Sequence, residues 1–406
     1  MATLMERLSA RLDLGELVET ASSLIEIESH RDAPGRERPC AERIASILSG
    51  WGMEARLDPA IDDRPNVVAT LRGSGGGASL MLNGHIDTVP AYEMDYPPFS
   101  PRVVEGKLLG RGSVDMKGAL ACMMTAMRLL RDEGVRLPGD LVFAAVVNEE
   151  DRSEGTEHLV RSGPRADRCV VGEPTGLAIM AGHRGLEWLE FEFQGVAAHG
   201  GTPEKGVNAI SMAARFIRRV EEKLLPELRR RVHPLIGPAV MNFGTIRGGT
   251  QPSSVADRCL LQVDRRWIPS EKLPRVLGEY EDILRELSEE DGSFRCSMRR
   301  MESNMATMDH YPMEIALDDP LVTSLRSVLS ALRGEEPRVA AFGGWTDASL
   351  ISNFGHIPTL VFGPGDLAVA HSRREFVPVE ELRLATLAYA LLAAEIAGKP
   401  GSAPAG

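Results

Sequence analysis

The sequence has few cysteines, no excess of basic charge and no long apolar run, and each shortage excludes a class of protein. Its five cysteines are widely spaced among 406 residues and form no C-x-x-C pair, so we expect free thiols in a reducing compartment rather than a disulfide framework. The net charge of −12 argues against a nucleic-acid-binding surface. No apolar run reaches membrane-spanning length, and residues 1–17 read as an amphipathic helix rather than a signal peptide. We therefore expect a cytoplasmic protein without membrane contact.

The length and the apolar content of 43% allow two domains, each with its own core. Helical patterns alternate with short apolar strands over residues 1–180, and the same alternation returns over residues 304–406. This pattern predicts an α/β domain with a mostly parallel central sheet, built from both stretches. The tail from Gly398 is rich in glycine, proline, alanine and serine, and we expect it to be disordered.

Residues 181–303 have a different pattern, which predicts an inserted domain. Between Glu187 and Phe193 polar and apolar residues alternate with period two, as in a half-buried strand. A helix is expected from about Val207 to Leu225, with a break at Pro226. The whole order is βαββαβ, which predicts an α+β, ferredoxin-like fold.

Acidic residues and histidines follow the apolar strands of the α/β part. They are His85, Asp87, Asp115, Glu149, Glu150, Glu173 and His371. Any one of them alone, including the His-x-Asp pair at position 85, is more often part of a hydrogen-bonded turn or a helix cap. Ligands of open α/β sheets bind beyond the carboxyl ends of the strands, and carboxylates gathered there would repel one another unless a cation held them. The set as a whole therefore predicts a metal site.

Six motifs of the sequence occur in the order found in one known family. They are Gly84-His85-Ile86-Asp87, Gly110-Arg111-Gly112-Ser113-Val114-Asp115-Met116-Lys117-Gly118, Asn148-Glu149-Glu150, Gly172-Glu173-Pro174, Ala198-His199-Gly200 and Ala370-His371-Ser372. Over nearly its whole length the chain resembles the di-zinc metallopeptidase and deacylase family of acetylornithine deacetylase, succinyl-diaminopimelate desuccinylase, aminoacylase and glutamate carboxypeptidase. The resemblance implies a zinc-peptidase-like catalytic domain, with the insert as a lid or dimerisation domain, and hence a homodimer.

The resemblance also assigns ligands to two divalent cations. His85, Asp115 and Glu173 are expected to bind one cation, and Asp115, Glu150 and His371 the other, so that Asp115 bridges them. Zinc is the expected metal, and cobalt or manganese would also suit mixed histidine and carboxylate ligands.

Catalytic roles follow from the same resemblance. Asp87 is expected to fix the tautomer of His85, and Glu149 to act as general base and then general acid. His199, in the insert, is expected to stabilise the oxyanion of the tetrahedral intermediate. A cis peptide bond is implied between Asp115 and Met116.

Substrate contacts are expected from both parts of the chain. The residues are Asn242, Arg266 and Arg184 of the insert, with Trp345 and Asp347 of the Gly343-Gly344-Trp345-Thr346-Asp347 loop. Arg266 suits a substrate carboxylate, which a guanidinium binds in bidentate fashion.

The sequence therefore predicts a metal-dependent amidohydrolase that cleaves the amide bond of a small N-acyl amino acid. A dipeptidase or carboxypeptidase using the same site is the nearest alternative, and a hydrolytic deaminase is a more distant one. A non-catalytic binding module is the alternative from a different class, but such proteins usually lack some ligands, and here every ligand and the base are present.

Overall fold

The computed structural model describes residues 2–399, and the chain divides into two compact units. Unit 1 consists of the residues up to Gly182 and those from Met313 onwards, and unit 2 is His183–Pro312. Most of the tail predicted to be disordered lies outside the described residues. Across residues 2–399 no helix combines the length and apolar character that crossing a bilayer requires.

The helices of the described residues are mostly two to five turns long. They are α1 (Ala2–Arg11), α2 (Leu14–Ile25), α3 (Arg38–Gly50), α4 (Lys117–Asp132), α5 (Glu154–Ser162), α6 (Ala209–Arg219), α7 (Leu225–Arg230), α8 (Leu273–Glu290), α9 (Pro320–Arg333), α10 (Ala348–Asn353) and α11 (Val379–Ala397).

The strands range from two-residue bridges to ten-residue strands. They are β1 (Ala55–Ile61), β2 (Arg64–Leu71), β3 (Leu80–His85), β4 (Arg102–Val104), β5 (Lys107–Leu109), β6 (Leu141–Val146), β7 (Arg168–Val171), β8 (Ile179–Met180), β9 (Gly182–His183), β10 (Gly185–Gln194), β11 (Val232–His233), β12 (Gly237–Pro238), β13 (Val240–Gly248), β14 (Arg258–Trp267), β15 (Cys296–Arg300), β16 (Met313–Glu314), β17 (Val339–Ala340), β18 (Thr359–Val361) and β19 (Phe376–Pro378).

Unit 1 is built on an eight-stranded sheet with the order β1-β2-β6-β3-β7-β18-β8-β17. The central strands β6, β3, β7 and β18 run parallel, and the pairs β1–β2, β2–β6 and β18–β8 are antiparallel. Every residue of β3 and β6 is buried, because helices cover both faces of the sheet. The predicted α/β class with a large, mostly parallel sheet is thus confirmed.

The two faces of this sheet pack against different helices. Met81 and Val142 share an apolar cluster with Leu159 of α5 and Ile351 of α10. On the other face a Cβ added to Gly84 would lie 2.5 Å from the methyl carbon of Met116 and 3.0 Å from a methyl group of Leu120, so α4 approaches β3 closely. Glycine at position 84 permits this approach, which brings the loop before α4 to the end of β3.

Unit 2 contains a four-stranded antiparallel sheet with the order β13-β14-β10-β15. As the period-two pattern predicted, Leu189, Phe191 and Phe193 are fully buried on one face. Phe191 packs against Phe216 of α6 and Tyr280 of α8, with ring centroids 4.6 and 5.5 Å apart. The elements β10, α6, β13, β14, α8 and β15 follow one another in the predicted order, with α7 and the short β11–β12 hairpin between α6 and β13.

A helix break was predicted at Pro226, but the structure has none there. A π-helical turn at Val220–Leu224 follows α6, and α7 begins at Leu225 with Pro226 in its first turn. The π-turn immediately before α7 accommodates the proline, which has no N–H to donate to the preceding turn. The helical path therefore continues through the proline to Arg230.

Candidate functional site

Three neighbouring parallel strands of unit 1 end side by side, and the candidate site lies at their carboxyl ends. β3 lies between β6 and β7, and its last residue, His85, stands opposite Val146, the last residue of β6. Glu149 and Glu150 follow β6, and Glu173 follows β7. All four side chains therefore come from one edge of the sheet, where open α/β sheets bind ligands.

The chain turns sharply after β6. Asn148 has a φ of 67°, in the left-handed region that asparagine tolerates better than most residues. Its side-chain oxygen accepts a hydrogen bond of 3.0 Å from the buried guanidinium of Arg64. The carboxylate of Asp87 then accepts the backbone N–H groups of Glu149 and Glu150 at 3.1 and 2.9 Å. These contacts fix the direction in which the two glutamates leave the sheet.

The contact between Asp87 and His85 runs mainly through the backbone. His85 Nδ1 lies 2.9 Å from the backbone carbonyl oxygen of Asp87 and 3.7 Å from its carboxylate. A proton on Nδ1 leaves Nε2 free to bind a metal. Asp87 thus orients His85 with its main chain and the Glu149-Glu150 turn with its side chain.

Asp115 lies in the loop that precedes α4, and the peptide bond to Met116 is cis, as the family resemblance implied. The loop is compact: a Cβ on Gly118 would lie only 2.3 Å from the carbonyl oxygen of Ser113. Asp115 itself is 6% exposed.

Asp115 joins two groups of potential metal ligands. Its Oδ1 lies 3.0 Å from His85 Nε2, which is also 3.8 Å from Glu173. Its Oδ2 lies 3.1 Å from His371 Nε2, which is also 3.0 Å from Glu150. Within each group, one ligand atom from every residue lies within 4.8 Å of the others. Each oxygen of Asp115 thus faces a different group, as a bridging carboxylate would.

The pKa values at the site show that the neighbouring carboxylates repel one another when charged. Burial raises the pKa of Glu173 well above its usual value, and the charge of Asp115 raises it further. Burial and Asp115 likewise raise the pKa of Glu150. Burial also acts to raise the pKa of Asp115, but hydrogen bonds from His371 and His85 hold it below the usual value. Bound cations would stabilise all three carboxylates in their charged form, so the donor set fits divalent metal ions.

Glu149, like Asp87, belongs to neither ligand set. Its side chain is partly exposed. Burial raises its pKa well above the usual value; His85 opposes the shift, and Glu173 adds to it. A carboxylate with a raised pKa beside a metal site suits proton transfer.

The Gly343–Asp347 loop contributes one partly exposed and one buried side chain. Trp345 is partly exposed, whereas Asp347 is 1% exposed and accepts a hydrogen bond of 2.6 Å from the hydroxyl of Thr156. Burial, the largest cause, raises the pKa of Asp347 to about 6. The contact with Thr156 links the loop to α5, and the substrate roles of Trp345 and Asp347 stay predictions.

The other sequence-predicted residues belong to unit 2. His199 is exposed, and its Nδ1 accepts the backbone N–H of Gly201 at 3.0 Å. Arg266 forms a bidentate pair with Asp264 at 2.7 and 2.9 Å. Arg184 donates to the carbonyl oxygens of Pro238 and Ile236, at 2.8 and 2.9 Å. Asn242 lies on β13, in register with Asp264 of β14. The catalytic and substrate roles of these four residues stay predictions.

Sequence reasoning missed two buried charged residues near the site. Arg64 contacts Asn148, as described, and also pairs with Glu37 at 3.1 Å. Glu375 is fully buried and pairs with Arg111 of the loop that carries Asp115. In the sequence, each of these is only a charged residue near apolar or glycine-rich segments. That pattern does not reveal which residue it pairs with.

An open α/β sheet with two ligand groups sharing a carboxylate at its strand ends defines the class of dinuclear metallohydrolases. Within that class, the model of peptidase family M20/M25/M40 matches residues 81–395, and the chain belongs to this family.

Relatives with assigned activities match most of the chain. Acetylornithine deacetylase from Myxococcus xanthus is 32% identical over 85% of this chain and 88% of the relative. An N-formyl-4-amino-5-aminomethyl-2-methylpyrimidine deformylase from Bacillus subtilis is 28% identical over 90% of this chain and 91% of the relative.

A solved structure supports the fold. The aminopeptidase PepT from Bacillus cereus superimposes with a TM-score of 0.80, covering 95% of this chain and 99% of that chain at 23% identity.

Proposed function

We propose that this protein is a metal-dependent amidohydrolase that cleaves the amide bond of a small N-acyl amino acid. The observation that carries the proposal is the pair of ligand groups joined by Asp115. Glu149 belongs to neither group, but its pKa is affected by His85 and Glu173 of one of them. Membership of the M20/M25/M40 family supports the same chemistry.

The two groups would hold two divalent ions. His85 and Glu173 would complete one site and Glu150 and His371 the other, with Asp115 shared. Zinc is the proposed metal; cobalt and manganese accept the same ligands. When bound, such ions polarise a carbonyl oxygen and lower the pKa of water.

The residues of the chain would move the proton. Glu149 would accept a proton from the attacking water and deliver it to the amide nitrogen as the C–N bond breaks. The products would be a carboxylate and a free amino group. His199 would donate a hydrogen bond to the oxyanion, and Arg266, Asn242, Arg184, Trp345 and Asp347 would contact the substrate.

The named relatives differ in the acyl group that they remove. The relatives named above are a deacetylase and a deformylase, and a third, from Staphylococcus epidermidis, is a probable succinyl-diaminopimelate desuccinylase at 27% identity. His183-Arg184 and Trp345-Thr346 depart from the arginine pair and the serine-rich loop expected of desuccinylases, which disfavours a succinyl-diaminopimelate substrate. Dipeptide cleavage at the same site is the second candidate.

We further propose that unit 2 is a ferredoxin-like lid and dimerisation domain. Its strand order and its two long helices support the fold. β13 is an edge strand, with Val240 and Ile246 40% and 51% exposed, and an edge strand of this kind can pair with a second copy. Light scattering tests the homodimer. The five free cysteines are in keeping with a cytoplasmic location.

A substrate panel on metal-reconstituted protein tests the proposed function. The panel contains N-acetyl, N-formyl and N-succinyl amino acids beside unblocked dipeptides, each assayed with and without a chelator. We expect hydrolysis of an N-acyl amino acid that stops on chelation and returns with zinc. Failure to bind two metal equivalents, or hydrolysis that persists without metal, would overturn the proposal.

A further inference from the structure

We propose that Glu375 is a positioning residue that fixes the separation of Asp115 and His371, and so sets the affinity of the site for its metals. The inference rests on the proposed function, because it concerns the ligands of that site. Glu375 belongs to neither ligand group.

The carboxylate of Glu375 binds the backbone of the loop that carries Asp115. Its Oε1 accepts the N–H groups of Gly112, Val114 and Asp115 at 2.8, 3.2 and 3.3 Å. Its Oε2 accepts the guanidinium of Arg111. One carboxylate thus receives four donors from five consecutive residues, and one of them is the amide of Asp115 itself.

Glycine is required in this loop for the chain to wrap around the carboxylate. Gly112 has a φ of +84°, and a Cβ there would lie 2.8 Å from a methyl group of Thr88 and 3.1 Å from the side chain of Lys117. The conformation that presents three N–H groups to one oxygen therefore depends on glycine at this position.

The backbone around Glu375 is tied to the segment that carries His371. His371 precedes Glu375 by four residues and has a φ of 57° outside any helix or strand, so local regular structure does not fix its position. The carboxylate of Asp95 forms salt bridges with the Nε atoms of Arg373 and Arg374, at 3.1 and 2.6 Å. The hydroxyl of Tyr96 donates a hydrogen bond to the backbone carbonyl oxygen of Glu375.

The next residue, Phe376, pairs with Leu109 in the small sheet of β19, β5 and β4. The segment from Arg373 to Phe376 is therefore fixed by salt bridges, a hydrogen bond and strand pairing. The Glu375 carboxylate connects this segment to the backbone N–H of Asp115.

The consequence concerns metal affinity. His371 Nε2 and Asp115 Oδ2 are 3.1 Å apart, and the Glu375 carboxylate holds the two backbone segments that set this distance. Partners that orient metal ligands typically change metal affinity by about 10–100-fold when they are removed. Replacing Glu375 with glutamine preserves the shape but sets an amide NH₂ against donors, so at least one contact is lost.

The chain offers a matched control in unit 2. Glu271 is also a buried carboxylate that pairs with a fully buried arginine, Arg265, and accepts a backbone N–H, that of Ile268 at 3.0 Å. Glu271→Gln makes the same chemical change at a site with no described contact to the metal ligands.

The experiment measures zinc dissociation constants of Glu375→Gln, Glu271→Gln and the unaltered protein by competition with a chromophoric chelator. We expect Glu375→Gln to weaken binding of at least one of the two equivalents tenfold or more, and Glu271→Gln to change neither by more than twofold. Equal affinities in Glu375→Gln and the unaltered protein would overturn the inference. If the unaltered protein binds no pair of zinc ions, the proposed function fails instead.

A second measurement needs no variant. Hydrogen exchange of the unaltered protein is followed as zinc is added, over the peptides that cover residues 110–117 and 371–376. We expect both segments to gain protection even with the ion bound by His85, Asp115 and Glu173, which has no ligand in residues 371–376, because Glu375 couples that segment to the Asp115 loop. Protection of one segment without the other contradicts the coupling.

Discussion

The acids of the sheet in unit 2 have arginine counter-charges within the chain, whereas the acids of the candidate site in unit 1 have none among residues 2–399. In unit 2, Glu190 and Glu192 of β10 each pair with an arginine, at 2.7 Å in both cases. In unit 1, Asp115, Glu150 and Glu173 lie together with two histidines, and among the described residues none of these three acids pairs with lysine or arginine. The acids of β10 are neutralised by arginines, whereas Asp115, Glu150 and Glu173 have no such partner in the described part of the chain. A bound cation would supply the missing positive charge.

Histidines show the same contrast. His85 and His183 are both buried, at 2% and 0% exposure. Burial acts to lower the pKa of His85, yet Asp115 and Glu173 raise it well above its usual value, whereas burial lowers the pKa of His183 to about 4. The acids, rather than burial, distinguish the two imidazoles.

The largest expected effect comes from removing the shared acid. Asp115→Ala should abolish binding of both metals and all measurable hydrolysis, because both ligand groups lose a member. His371→Ala should affect mainly one metal, since His371 belongs to one group. Zinc content by elemental analysis, with hydrolysis measured beside it, checks both variants, and retention of two zinc ions in Asp115→Ala would contradict the bridging role.

The next effect separates proton transfer from metal binding. Glu149→Ala should keep both metals and lose turnover by about 100- to 10,000-fold, the usual contribution of a general acid–base residue. Zinc content serves as the control, and kcat on the best substrate of the panel is the measurement. Substantial remaining turnover would remove the assignment of Glu149.

A pH effect is expected in unit 2. The pKa of His183 in the folded protein is about 4, below the ordinary value of about 6.5, so the unfolded state binds the extra proton between these values. The stability gained by burying neutral imidazole is present above pH 6.5 and is lost as the pH falls towards 4, with a total on the order of 3 kcal/mol.

Hydrogen exchange of β10 peptides at pH 7 and pH 5, in chelator, measures this loss. His183→Asn should show a smaller loss than the unaltered protein, whereas the exposed His199→Asn should not. An equal loss in His183→Asn would show that another group causes it.

The smallest expected effect concerns specificity. Trp345 is partly exposed, and Trp345→Ala should change the preference between acetyl and aromatic acyl substrates by about tenfold, the scale of modest changes in an apolar pocket wall. The ratio of kcat/KM values for the two substrates is the measurement. An unchanged ratio would mean that Trp345 is not part of the acyl pocket.

The sequence predicted the site where local pattern and position in the sheet agree. Apolar runs revealed β3 and β6, and a parallel sheet brings their ends together, so His85 and Glu150 could be placed without coordinates. Glu375 could not be found in this way, because its partners in the Asp115 loop are about 260 residues away in the chain. The hydrophobic periodicity of a sequence reveals helices and strands, but not a contact between residues so far apart in the chain.

Two boundaries show other limits of local pattern. The helix after Asn208 passes Pro226 because a π-turn precedes the proline, and this turn has no simple signature in the sequence. Unit 2 extends to Pro312, beyond the last strand expected there, because the segment after β15 still follows β10: Leu186 donates its N–H to the carbonyl oxygen of His310 at 3.0 Å.

The order of the ligands along the chain has a consequence for biosynthesis. His85, Asp115, Glu150 and Glu173 all precede unit 2, and His371 follows it. As the nascent chain leaves the ribosome, the first group of ligands is complete before unit 2 has been made, whereas the second must wait for the C-terminal segment. The Asp115 loop also gains its Glu375 contacts only then, so we expect neither group to reach its final geometry before the C-terminal segment has packed onto the rest of unit 1.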